Sequence, residues 1–153
     1  MSNEVTVTST DVQRRLGAVL ELTQNNRRIM RGIGGIIEDQ THENFETHGG
    51  GEWPALKHRD GEPLRDKGHL FSSLVPRVTN TSVEYGTNLI YARLHQYGAP
   101  QGAFGKTKRG APIPWGDVPA RKYLPMSESG EIDQPVLNEI MLYLTEQYQR
   151  ALN

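Results

Sequence analysis

Apolar residues recur at helical spacing near both ends of this 153-residue chain, whereas the middle is broken by glycine and proline and carries no long period of either kind. That change of pattern limits the fold, because amphipathic helices need a surface to lie on and a Gly/Pro-punctuated middle supplies turns and short strands rather than more helix. Val12, Leu16, Val19 and Leu20 predict a helix from about residue 11 to 23, with Ser9 or Thr10 as its cap. Asn25 and Asn26 interrupt it. Ile29, Ile33, Ile36, Ile37 and Phe45 then form a second stripe running to about Thr47. Gly32, Gly34 and Gly35 each cost about 1 kcal/mol in a helix interior, so that stripe requires close helix approach or a bend. At the far end Asp133 is placed to cap and Pro135 suits a first turn. Val136, Leu137, Ile140, Leu144 and Tyr148 make one face of a helix reaching about Ala151.

Between these helices the signals are short. Val5 and Val7 alternating with Thr6 and Thr8 suit a brief strand or arm before the first helix. Gly49, Gly50 and Gly51 read as a flexible linker, since the Lys-Ser/Thr of a phosphate-binding loop is missing. A surface loop follows through Trp53 and Pro54 to Pro63, and Gly68 to Leu74 suits a short helix or turn. Val75 to Thr79 and Ser82 to Thr87 flank Asn80-Thr81 as an antiparallel hairpin. Leu89, Tyr91, Ala92, Leu94 and His95 suit a short helix ending near Gly98. Residues 99–116 form a long loop carrying Lys106, Lys108 and Arg109, and long loops usually act or bind. The expectation is one α+β domain over residues 1–153: an antiparallel sheet flanked by N-terminal helices and a C-terminal amphipathic helix.

Only 35% of residues are hydrophobic and the mean hydropathy is -0.62, so few apolar residues remain beyond one core and neighbouring subunits are expected to supply some burial. Seventeen basic against eighteen acidic residues remove the long-range field of a dedicated nucleic-acid or anionic-lipid binder. There is no cysteine, which excludes disulfides and thiolate metal sites. No apolar run approaches the roughly 18 residues needed to span a bilayer, and MSNEVTVTST is not a secretory signal, so the chain is expected to be soluble and made in the cytoplasm.

Four blocks, in order, resemble the phage virion morphogenesis family, the tail-completion proteins of contractile-tailed phages. They are Trp53 to Lys57; Leu64 to Leu74; Tyr85-Gly86-Thr87-Asn88 leading into Tyr91 to Gly98; and Ile113-Pro114 with Pro119 to Leu124. Head-tail-joining proteins of siphophages share the Tyr-Ala and Gly pattern followed by a proline-rich segment. Lys122-Tyr123 departs from the family pattern, where an aromatic directly after Pro is more usual. The resemblance implies a non-enzymatic structural subunit that completes the tail and joins it to the head as a homo-oligomeric, hexameric ring, meeting the tail tube on one rim and the neck or connector on the other. It implies location in the virion after assembly in the host cytoplasm, with no membrane partner, small-molecule substrate or cofactor. Expected contact residues lie on the short helix (Tyr91, Arg93, His95, Gln96, Tyr97), in the loop (Lys106, Lys108, Arg109, Trp115) and in the following segment (Arg121, Tyr123).

The same residues bear on other chemistries. His42, His48, His58, His69 and His95 lack metal-ligand spacing and read as surface or packing histidines. Ser72, Ser73, His69, His95 and Asp66 supply the residue types of a small hydrolase, but no Gly-x-Ser-x-Gly elbow surrounds either serine. Lys106, Lys108 and Arg109 offer nonspecific contact with DNA in a ring lumen, or a nucleic-acid-binding packaging or regulatory factor, against the reading of a solvated or subunit-bridging loop. Trp53 and Trp115, beside prolines, are either interface anchors or intramolecular packing.

Overall fold

The computed structural model describes residues 10–24 and 26–153. The Val5 to Thr8 arm and Ser9 lie outside the described residues. In chain order the elements are α1 (Thr10–Gln24), α2 (Arg27–Glu46), α3 (His69–Ser73), β1 (Val75–Val78), β2 (Val83–Gly86), α4 (Ala92–Tyr97) and α5 (Gln134–Leu152). The architecture is α+β. β1 and β2 form a two-stranded antiparallel sheet in the register Val75↔Gly86 to Val78↔Val83, turned by Thr79, whose hydroxyl accepts from the amides of Thr81 and Ser82. A lone hairpin is marginal in water, and α2 supplies the missing layer by lying across both strands.

Two of the three α2 glycines have a packing reason. A Cβ on Gly32 would sit 2.1 Å from the Tyr143 hydroxyl of α5, and one on Gly34 would meet Val83 of the hairpin at 3.1 Å. Gly35 faces open space. α2 runs unbroken, and close approach rather than a bend accounts for Gly32 and Gly34.

The core is aromatic. Phe45 is fully buried and meets Trp53 and Phe71 edge-on at 5.6 and 5.0 Å and Tyr123 at 5.6 Å, with Leu70, Leu74 and Ala92 completing the cluster. Gly49, Gly50 and Gly51 are not the flexible linker expected of them. All three hold positive φ, and the Gly49, Gly51 and Trp53 amides bond back to the carbonyls of Asn44, Thr47 and His48. This left-handed turn swings Trp53 into the core, where a Cβ on Gly49 would collide with the indole.

The helical faces also differ from expectation. On α5 the buried residues are Val136, Ile140 and Gln147, while Leu137 and Tyr148 are exposed, so the helix is rotated toward Tyr143. Asp133 stands at the N-cap, but its carboxylate accepts from Lys122 Nζ rather than from a helix amide. On α1, which packs on α5, Leu16 and Leu20 point to solvent. No described helix is long and apolar enough to cross a membrane.

Candidate assembly interface

Residues 87–126 build one continuous surface feature. The Thr87 hydroxyl accepts from the Leu89 amide and sets the turn into α4. On α4, Ala92 and Gln96 face inward four residues apart, which leaves Tyr91, Arg93, Leu94 and Tyr97 toward the outside. Gln96 is the keystone: Oε1 accepts from the amides of Tyr123 and Leu124, each at 2.9 Å, and Nε2 donates to the carbonyls of Leu124 and Met126 at 3.0 and 3.3 Å. All the bonding capacity of the amide is used, so residues 123–126 are fixed against α4 without forming a regular strand.

Tyr123 adds a bond from its hydroxyl to Ala92 O at 3.0 Å, and burial pushes its phenol pKa up to about 12. Arg121 is also internal: Nε and Nη2 donate to Pro54 O at 3.0 and 2.8 Å, and Nη2 to Ala55 O at 3.3 Å. Burial, with the Arg59 charge nearby, lowers its pKa. Gln96, Arg121 and Tyr123 were expected at a partner surface, but in the protomer they are buried and spent on tying α4 to the 53–55 and 121–126 segments. Polar side chains with this bonding capacity look the same in sequence whether they face a partner or the chain itself.

The segment after α4 is ordered by its own ladder. Gly98 ends the helix at φ 69°, and a Cβ there would lie 2.7 Å from both Ala120 N and Val118 O. Ala99 and Val118 then exchange both backbone bonds, at 2.9 and 2.8 Å, and further bonds join Gly102 to Pro114, Phe104 to Ile113, Ile113 to Gly105 and Thr107 to Ala111. The expected long loop is thus an irregular two-legged ribbon, with Gly102, Gly105 and Gly110 at positive φ and exposed Lys106, Lys108 and Arg109 toward its tip.

Against the base of this ribbon α4 leaves an apolar groove of about 650 Å³, lined by Ile90, Tyr91, Leu94, Tyr97, Phe104 and Ile113 with Arg93 and Glu128 at its rim. Ile90 is 94% exposed, Phe104 61% and, close by in sequence on the ribbon, Trp115 79%. Arg93 lies over the Tyr97 ring at 5.1 Å and 4.0 Å from Glu128, and Tyr97 donates to Ser127 O at 3.2 Å. Tyr91 meets His95 edge-on at 5.8 Å. Burial, with Arg121 nearby, lowers the His95 pKa, and His95 Nδ1 is enclosed with no hydrogen-bond partner. Large apolar groups exposed around a concave site make this the candidate interaction surface of the chain.

Tyr91, Arg93 and Tyr97 are brought together there. Lys106, Lys108 and Arg109 stand apart toward the ribbon tip, and Trp115 is exposed while Trp53 is core. Phe104 and Ile113 lie in the 99–116 loop expected to bind but are not among its expected contact residues, and Ile90 and Glu128 escape a reading of the sequence, because residues in an aperiodic segment carry no period to flag them.

The residue types that suggest other chemistry are occupied elsewhere. Ser72 Oγ donates to His69 O, and Ser73 Oγ bonds Leu70 O and Thr87 Oγ1. His42 packs on Phe71 and pairs with Glu38, and His48 stacks on Trp53. No cluster of three or more metal-ligating side chains occurs among the described residues.

A chain that devotes its ordered middle to a rigid exposed apolar face has the build of a structural assembly protein. It belongs to the phage virion morphogenesis family, whose sequence model matches residues 7–145. It is also similar to the Mu-like prophage FluMu G protein 2 of Haemophilus influenzae, with 32% identity over 133 residues that cover 87% of this chain and 88% of that protein. No solved structure gives a significant match. The role of the chain is therefore in phage virion morphogenesis, as a virion-associated structural protein.

Proposed function

We propose that the chain completes the phage tail and joins it to the head as one subunit of a homo-oligomeric ring, hexameric in the long-tailed architecture that its family resemblance implies. The supporting observation is the exposed groove between α4 and the ribbon, lined by exposed Ile90 and Phe104, with Trp115 exposed elsewhere on the same ribbon. Burial of such residues between subunits is the main favourable term in association. Leu16 and Leu20 on α1 add a second exposed apolar stripe. A heterologous interface of two different patches closes into a ring when its rotation does, which leaves one rim for the tail tube and the other for the neck. Lys106, Lys108 and Arg109 toward the ribbon tip suit nonspecific contact with DNA phosphates passing through the lumen.

Deletion of the gene is expected to give full heads and unjoined tails under the electron microscope. Normal infectious particles would remove the assignment. Sedimentation of the purified chain, alone and with tail tubes, reads the ring directly.

A further inference from the structure

A second depression adjoins the apolar groove and shares Tyr91 with it, yet its chemistry is different. This cavity, about 460 Å³, is walled by Arg59, Lys67, Arg121, His69, His95 and a single acid, Asp66. None of the three permanent cations has an ion-pair partner among the described residues, although Arg65, in the same stretch of chain, is paired with both Glu46 and Glu62. Arg59 donates only to the backbone carbonyls of Asp60 and Glu62. Arg121 is more than nine-tenths buried, and its Nε and Nη2 reach only the carbonyls of Pro54 and Ala55, leaving Nη1 without a protein hydrogen bond. A buried guanidinium with no counter-ion is costly, and a second one nearby raises the cost. The wall therefore gathers three cations that no carboxylate of the described residues pairs, with Arg121 Nη1 still able to donate.

Shape and lining narrow the class. Leu56, Leu64 and Leu70 provide an apolar flank for a methylene stem, and Asp66 disfavours a multiply charged group. The charges sit in a concave pocket, which the phosphates of a convex duplex do not enter. We propose that this cavity receives a carboxylate side chain carried on an acidic, apolar-flanked segment of the protein that docks on the α4 face. This rests on reading that face as a protein interface: the apolar part of the segment occupies the groove, and its acid crosses Tyr91 to meet Arg121 Nη1 and Arg59. Such charge-assisted bonds fix the register of docking.

The test titrates the purified full chain with glutarate at constant ionic strength while the histidine-ring NMR signals are followed. Saturable shifts are expected at His69 and His95, with His42 and His48 unmoved as internal controls. Affinity should fall about tenfold or more in the R59Q/K67Q variant, which keeps the buried Arg121 and its structural bonds. Inorganic phosphate, run in parallel, should bind more weakly. An absent or non-saturating response, an equal response in the variant, or tighter binding of phosphate overturns the proposal. Sedimentation of the same samples separates the two readings. The titration is made on the monomeric fraction, because a docked neighbour would already fill the pocket: a responding monomer that forms no ring alone or with tail tubes leaves the pocket standing and removes the ring, whereas rings built from a chain whose monomer does not respond do the reverse.

Discussion

Tyr143 of α5 lies over Gly32 of α2, so closely that a Cβ on Gly32 would stand 2.1 Å from its hydroxyl oxygen and 2.2 Å from the adjoining ring carbon. The C-terminal helix is seated by the absence of a side chain on the N-terminal one. Gly32→Ala is expected to lower stability by about 1–2 kcal/mol in urea unfolding, because displacement of the Tyr143 ring outweighs the gain in helix propensity. Gly35→Ala, with open space around it, should raise stability by up to about 1 kcal/mol. Equal effects at the two positions would contradict the seating.

Gln96→Leu keeps the approximate volume but strands the Tyr123 and Leu124 amides and the Leu124 and Met126 carbonyls. A loss of about 3–5 kcal/mol is expected, the upper range for one substitution. Thermal unfolding followed by circular dichroism measures it.

Gly98→Ala combines a left-handed φ of 69° with backbone atoms 2.7 Å from the new methyl. A penalty of about 2–4 kcal/mol is expected. Gly105→Ala, also at positive φ but with nothing within 4 Å, should cost only the conformational part.

His95 has a pKa lowered first by burial and then by the Arg121 charge, from the ordinary value of 6.5. Above 6.5 the imidazole is neutral in folded and unfolded chains alike and adds no pH dependence. As pH falls from 6.5 through the lower folded value, the unfolded chain takes up the proton first, so stability drops. The unfolding midpoint should therefore decline on acidification in this window, and His95→Asn should flatten that part of the profile. Tyr123 acts at the other extreme. With its phenol raised from 10.0 to about 12, stability is fully present below pH 10 and is lost as pH rises toward 12.

The groove and the ribbon tip should be separable. Phe104→Ser with Trp115→Ser is expected to leave the fold intact by circular dichroism and to reduce the assembled mass in sedimentation. Replacing Lys106, Lys108 and Arg109 by Gln should spare the mass and weaken a low-salt gel shift, with the salt slope falling by about 0.9 for each phosphate no longer neutralised. A gel shift with unchanged affinity and salt slope in this variant would place DNA binding elsewhere on the protein.

The existence of α1, α2, α4, α5 and of the hairpin is legible in the sequence, because each is coded by a local period or a turn pair, whereas α3 reads equally as a helix or a turn. The faces are not legible. Leu137 and Tyr148 fit the α5 stripe as well as Ile140 does, and the space over Gly32, invisible in the sequence, is what admits Tyr143 on the inward side. The glycine turn at 49–51 read as slack because its purpose, the inward swing of Trp53, is a tertiary fact. At the candidate site, Tyr91, Arg93 and Tyr97 were recognisable as amphipathic side chains on a short helix. The apolar floor from Ile90, Phe104 and Ile113 had no period to announce it, and Gln96 gave no sign of whether its four bonds would be made within the chain or across an interface.

Ala99 and Val118 are hydrogen-bonded neighbours, so the polypeptide leaves the body and re-enters it at a single doorway. Beyond that doorway the chain is held mainly by bonds within its own two legs, from Gly102–Pro114 to Thr107–Ala111. If the α4 face is the interface proposed above, substitutions in this ribbon would change the neighbour it suits without touching the bonds that hold the body together.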